Sequence, residues 1–432
     1  MLVYDHWVKL HRLCLACAAV ALAQTPNAPP AVVAGVPVNY DEAQAGYSGL
    51  PEVLKLSSGQ PVRDAKTWRA KRRPEILRLY EQHQFGRSPA KPAHLSFNLF
   101  DPGTPAFNGA ALRKQVTVHF SADKSGPKMD LLIYTPAHAT KPVPLLLNIS
   151  FTANSSTVDD PGVKPGEVWN REKKRVPATQ NRVFRPVDVP RLLAQGLGFA
   201  TVYYGDIDPD FDGGLAHGVR SLYPPPTAGD WGAIAAWGWG LSRALDYLET
   251  DRAIDSKRVG IMGISRLGKT VLWAGARDER FALVIASCSG EGGAALARRN
   301  YGENIKHMGL RFGYQFAPAY QTWGDRVQQW PVDSHMLISL IAPRPLLLQT
   351  GDTDLWSDPR GEFLGAVEAG PVYRLLGQQD LGTTVMPKPG QALLNTLGYY
   401  EHAGGHGTLP GDWDQFVAFL EKHLLASRSR RR

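Results

Sequence analysis

Along the chain, short stretches of continuous or alternating apolar residues take turns with longer stretches whose apolar positions recur every three to four residues. Gln115–Phe120 alternates, and Leu131–Tyr134 follows it after a polar turn; both predict strands. Pro144–Phe151, Phe199–Tyr204, Arg258–Met262, Phe281–Ala286 and Pro345–Gln349 are apolar almost throughout, which predicts strands covered on both faces. Trp68–Gln84 sets Ile76, Leu77, Leu79 and Tyr80 among charges and predicts a helix. Asp230–Thr250 does the same, with Ile234, Trp237, Leu241, Ala244, Leu245 and Leu248 at helical spacing. Arg266–Ala276 reads as a third helix, and Trp413, Phe416, Val417, Phe419 and Leu420 mark a last one. Gly205–Gly229, which includes Pro224, Pro225 and Pro226, shows no period and predicts a long loop, a feature often functional inside compact domains. The alternation of strand and helix predicts an α/β fold, a mostly parallel sheet with helices on both faces in three layers. No repeat period is visible, so residues 46–427 are expected to form a single domain.

Composition changes this picture at the ends. Lys9 and Arg12 precede an apolar run from Leu13 to Ala23 that closes Ala21-Leu-Ala23. This is the pattern of a cleaved export signal, too short to span a bilayer, so 1–23 is expected to be a signal peptide and the protein secreted or periplasmic. Cys14 and Cys17 fall inside it, leaving Cys288 without a partner for an internal disulfide. Residues 24–45 read as an extended lead-in and 428–432 as a basic tail. The net charge is +8, but apart from that tail the Lys and Arg are scattered, which argues against nucleic acid and leaves an acidic polysaccharide as a suitable partner. No membrane partner is expected, and the chain is expected to act as a monomer.

The chemistry concentrates around Ser265. Gly263-Ile-Ser-Arg-Leu-Gly268 directly follows a predicted strand and opens a predicted helix, the strand–turn–helix setting of a nucleophile elbow. A tight turn there lifts the hydroxyl above the sheet, and the first N–H of the helix faces the forming oxyanion. The pattern departs from G-x-S-x-G, since Leu267 fills the second glycine position. The elbow makes an α/β-hydrolase the expected fold. In that fold an acid follows the nucleophile, and a histidine follows the acid. Thr350-Gly-Asp-Thr-Asp-Leu-Trp-Ser-Asp358 follows a late strand, and Asp354 is the candidate acid, with Asp352 and Asp358 as substitutes. His406, in the glycine-rich Gly404–Gly407 before the last helix, is the candidate general base; His402 is the fallback and His335 a weaker rival. Arg266 and Lys269 are cations that would suit a carboxylate-bearing substrate.

Together these residues resemble the bacterial branch of the glucuronoyl esterases, carbohydrate esterase family 15. The likeness is carried by Gly263-Ile-Ser-Arg-Leu-Gly-Lys269, Ser289-Gly-Glu-Gly-Gly-Ala294, Gly302-Glu-Asn304, Ala342-Pro-Arg-Pro345, Asp354-Leu-Trp356 and Gly405-His406, with Arg72-Arg-Pro-Glu-Ile-Leu77 like the family's lead-in. The resemblance implies hydrolysis of esters between glucuronic acid on xylan and lignin alcohols, with no metal and no cofactor. It implies Ser265 as nucleophile, His406 as base, Arg266 as oxyanion support, and Lys269, Glu303 and Trp356 as residues holding the sugar. One position departs: where fungal members and some bacterial ones carry the acid just before the Ser-Gly-x-Gly-Gly stretch, this chain has Cys288. A thiol is neutral near pH 7, so the acid role is expected of Asp354, with Glu291 a minor rival. Two other readings stay open at this point: a carbohydrate acetyl esterase on the same fold, and a non-catalytic polysaccharide-binding protein.

Overall fold

The computed structural model describes residues 31–178, 187–224 and 230–426. The expected export segment, the start of the lead-in, part of the 205–229 loop and the basic tail lie outside the described residues. Ten strands form the central sheet: β1 (Ser96–Ala106), β2 (Ala111–His119), β3 (Lys128–Pro136), β4 (Val143–Ser150), β5 (Gly198–Tyr203), β6 (Ile254–Ile264), β7 (Leu283–Ser287), β8 (Leu346–Gly351), β9 (Ala392–Leu393) and β10 (Leu397–His402). Their order is β9-β10-β8-β7-β6-β4-β5-β3-β2-β1. The six strands from β10 to β5 are parallel, and the two flanks are antiparallel.

The principal helices are α1 (Arg73–Tyr80), α2 (Val189–Ala194), α3 (Ala233–Leu248), α4 (Arg266–Arg277), α5 (Ile305–Phe312), α6 (Pro359–Leu375) and α7 (Asp412–Leu420). The near-continuous apolar content of the central strands has a direct structural counterpart. Leu145, Leu147, Val284, Ala286, Leu346 and Leu348 point into one core with Trp237, Leu241, Trp273 and Phe363 of α3, α4 and α6. Leu146, Leu283, Ile285 and Leu347 point into a second core with Leu192 of α2 and Phe416 and Phe419 of α7. Adjacent residues of one strand thus serve opposite faces, so neither face can turn polar. This is the three-layer α/β-hydrolase architecture.

The predicted strands and helices recur with shifted ends. The differences are instructive. Residues 205–224 are not plain loop but carry short helical turns at Gly214–Ala216 and Val219–Leu222, after one at Tyr204–Ile207. The described part of the lead-in does not trail away from the body: Asn39 bonds Asn300 and Gly302, the Val36 carbonyl accepts from His307 Nε2 at 3.2 Å, and Glu42 pairs with Arg299. It braces the segment that carries Glu303.

Candidate active site

Parallel strands end together, and here four neighbours end at one place. β6 leads into Ser265, β7 into Cys288, β8 into the loop with Asp354, and β10 into the loop with His406. Ligand and reaction sites of open α/β sheets lie beyond such carboxyl ends. The register explains the spacing: Ile264 pairs with Ser287, and Gly351 with His402, so the loops leave the sheet at matched heights.

Ser265 sits between β6 and α4 with φ 60° and ψ −128°, and its backbone N–H donates to Ser287 O at 2.8 Å. A non-glycine residue in such a conformation is strained, and strain of this kind marks places where position matters more than local stability. Glycine is required on both sides. A Cβ at Gly263 would lie 2.3 Å from Leu267 O, and one at Gly268 would lie 2.7 Å from Ser287 O. The departure from G-x-S-x-G therefore has a cause: the close approach to the neighbouring strand falls at Gly268, and buried Leu267 packs in the core. As the first residue of α4, Arg266 carries a main-chain N–H without an intrahelical acceptor.

His406 Nδ1 donates to Asp354 Oδ2 at 2.7 Å and lies 3.3 Å from Ser357 Oγ. Both bonds use Nδ1, which leaves Nε2 for the proton of a nucleophile. Asp354 is buried while the His406 side chain is 40% exposed, so the carboxylate is fixed and the ring reaches solvent. Ser265, His406 and Asp354 line one cleft of about 300 Å³ with Arg266, Lys269, Glu303 and Trp356.

The rivals have other duties. His402 is buried, donates from Nδ1 to Asp412 Oδ2 at 2.8 Å, and meets Gly405 O through Nε2 at 2.9 Å. Asp352 accepts from Gly404 N–H. Both shape the His406 loop from behind. Asp358 caps α6 and pairs with Arg299. His335 is buried against Pro51 O, and Glu291 is buried against Tyr320 OH at 2.9 Å. Cys288 is 1% exposed, and its Sγ contacts the backbone of Gly407. Burial first, and then the charges of Asp354 and Glu362, push its thiol well above the usual cysteine range. With no cation beside it, the thiol is neutral near pH 7 and offers His406 no anionic partner.

The cations are paired. Lys269 Nζ lies 3.3 Å from Glu303 Oε1, both buried. Attraction in such a pair does little more than offset its desolvation, so fold stability gives no reason for it. Arg266 pairs with Asp210, which also accepts from Tyr314 OH at 3.0 Å and Gln315 Nε2 at 2.7 Å, and from Tyr204 OH. The Phe312 ring meets two guanidinium groups, Arg266 at 4.9 Å and Arg311 at 4.7 Å. Asp210, Phe312 and Arg311 were not singled out in the sequence. The unperiodic 205–229 segment was the one signal that pointed toward Asp210.

A family profile described as glucuronyl esterase, fungi, matches residues 221–377. A carbohydrate esterase from an unknown prokaryotic organism is 42% identical over 399 residues, which cover 89% of this chain and 92% of that protein. The chain belongs to carbohydrate esterase family 15, the glucuronoyl esterases. Among solved structures, the glucuronoyl esterase from Solibacter usitatus is 45% identical, covers 88% of this chain and 98% of its own, and superposes with a TM-score of 0.84. A promiscuous family 15 esterase from a marine bacterial metagenome is 40% identical over 89% of this chain and all of its own, with a TM-score of 0.83.

Behind the cleft of this glucuronoyl esterase lie two buried carboxyls, Glu291 and Glu362, that burial pushes up to about 8. Glu362 Oε1 accepts the Gly290 N–H at 2.6 Å. A carboxyl whose pKa is raised by folding stabilises the protein below its unfolded value, near 4.3, and that stability is lost as pH rises toward 8 at about 1.4 kcal/mol per pH unit. Glu362→Gln keeps the acceptor for Gly290 and removes the titration. Its melting temperature should match wild type at pH 5 and exceed it at pH 8. Equal pH dependence of the two proteins by calorimetry would exclude Glu362 as the titrating group.

Proposed function

We propose that the protein is a secreted serine esterase that cleaves the ester between glucuronic acid, including its 4-O-methyl form, on glucuronoxylan and a lignin alcohol. The supporting observation is the convergence, in a family 15 chain, of Ser265, the His406–Asp354 pair and the buried Lys269–Glu303 pair on one cleft. His406 takes the Ser265 proton as Oγ attacks the ester carbonyl, and Asp354 holds the ring in the tautomer with the proton on Nδ1. Negative charge develops on the carbonyl oxygen, where the Arg266 main-chain N–H and guanidinium meet it. Asp210 fixes that guanidinium before substrate arrives, so little reorganisation is needed in the reaction itself. The imidazolium then protonates the departing alcohol. Water, deprotonated by His406, attacks the acyl-enzyme and releases glucuronate, restoring Ser265.

Lys269 and Glu303 offer a donor and an acceptor to sugar hydroxyls, and half-buried Trp356 offers a flat apolar face to the ring. Cleavage of export residues 1–23 and a monomeric state are part of this proposal. The described residues contain no helix long and apolar enough to cross a membrane.

The test is a comparison of benzyl glucuronate with acetylated xylan. A site that spends its polar groups on the uronate should favour the glucuronate ester on the order of a hundredfold or more in kcat/KM. Preference for acetylated xylan would replace this reading with an acetyl esterase. Failure of a serine-reactive phosphonate to label Ser265 would favour a binding protein.

A further inference from the structure

Cys288, Asp354 and His406 each present one ligand atom, and these atoms lie within 4.8 Å of one another. They come from the ends of three neighbouring strands, β7, β8 and β10. Thiol sulfur, imidazole nitrogen and carboxylate oxygen are the donor types that hold zinc and softer divalent ions. In a tetrahedral zinc site, bonds of about 2.3 Å to sulfur and about 2.0–2.1 Å to nitrogen and oxygen set the donors roughly 3.3–3.6 Å apart. No separation thus needs to shrink by more than about 1.5 Å, while His406 Nδ1 and Asp354 Oδ2, 2.7 Å apart in their hydrogen bond, must part by roughly 0.6 Å if both are ligands.

The chain allows that movement on one side only. Cys288 and Asp354 are buried and fixed. His406 is exposed and lies between Gly405 and Gly407, with φ 154° at Gly404 and 109° at Gly407. Its ring can settle onto an ion held by the other two. Gly407 N–H, 3.4 Å from Cys288 Sγ, already donates to the sulfur and would support it as thiolate. All three residues line the open cleft, so an ion has a route in and a fourth position open to water.

We propose that Cys288, Asp354 and His406 form a binding site for Zn²⁺ and the softer Cd²⁺, and that an ion bound there switches the esterase off. Binding displaces the thiol proton, and the Nδ1 proton where that nitrogen is the ligand; both leave to solvent, and no electron is transferred. The ion takes up the imidazole or the carboxylate that orients it, and Ser265 loses its base. The site depends on the sulfur. Without Cys288, only one carboxylate and one imidazole remain.

The experiment uses the full chain with Cys14→Ser and Cys17→Ser, in which Cys288 is the single thiol. Cd²⁺ should produce an ultraviolet thiolate charge-transfer band saturating at one ion per chain. Zn²⁺ should inhibit hydrolysis of benzyl glucuronate, with activity restored by a chelator. Cys288→Ala and Cys288→Ser, each checked for an unchanged melting transition, should turn over within about tenfold of wild type, lose the band and require on the order of tenfold or more zinc for the same fractional inhibition. Absence of the band in the parent protein, or equal zinc sensitivity in both variants, overturns the site. The inhibition arm rests on the proposed triad, and the cadmium band does not. A saturating band with no loss of turnover would keep the sulfur as a ligand and overturn the switch.

Discussion

Ser265→Ala is expected to lower kcat on benzyl glucuronate by roughly 10⁵- to 10⁶-fold while leaving the melting temperature close to wild type. The first half follows from the chemistry. An acyl-enzyme needs an oxygen at the elbow, and Ala has none. Ser357 cannot substitute: its Oγ lies 3.3 Å from His406 Nδ1, the nitrogen already given to Asp354. Ser289 is fully buried, and its hydroxyl accepts from Ala294 N–H. The residual rate would be that of water attacking an ester held beside the Arg266 donors. The second half follows from the packing. The Ser265 side chain makes no capping bond to α4, and Ala occupies the same strained backbone position at similar cost. A stable variant that retained more than about a hundredth of wild-type turnover would place the nucleophile elsewhere.

The elbow was legible because its signals are local. A strand, a small residue, a serine and a helix start lie within a dozen positions, and the close approaches at Gly263 and Gly268 demand glycine whatever surrounds them. The buried strands of the parallel centre were legible for a related reason, since two cores leave them no polar face. What escaped the pattern was set by tertiary context. β10 is six residues long and opens Leu397-Gly-Tyr; it ends on Glu401 and His402, which are buried yet polar. α6 starts at Pro359 and contains Pro371, Gly361, Gly365 and Gly370, a composition that argues against a helix. It forms because Phe363, Ala366, Val372 and Tyr373 pack into the larger core. β1 carries Asp101-Pro-Gly103 and bulges twice against β2, which erases its alternation. The same holds within the site. Asp210 and Arg266 are 56 residues apart, and nothing near either announces the pair. Arg311 is one cation among many until α5 sets it beside Phe312 and Trp356.

Asp354→Asn is expected to cost about 10⁴-fold in kcat, and Cys288→Ala less than about tenfold. The asymmetry tests which strand end supplies the acid. β7 and β8 are adjacent, and a carboxylate after either could reach the histidine loop after β10. In this chain the residue after β7 is a thiol that burial, Asp354 and Glu362 together keep protonated. Its contacts are to the Gly407 backbone, so its loss relaxes a loop by a small amount. Asp354 instead meets His406 Nδ1 at 2.7 Å, is itself buried, and is held by a turn in which its backbone N–H donates to Gly351 O. Asn in its place keeps the volume but offers a neutral amide. It stabilises neither the Nδ1–H tautomer nor the imidazolium that forms when Ser265 gives up its proton. The loss should fall on kcat with KM little changed, because the sugar contacts are proposed for Lys269, Glu303 and Trp356 and not for Asp354. A larger loss from Cys288→Ala than from Asp354→Asn would move the acid to the end of β7.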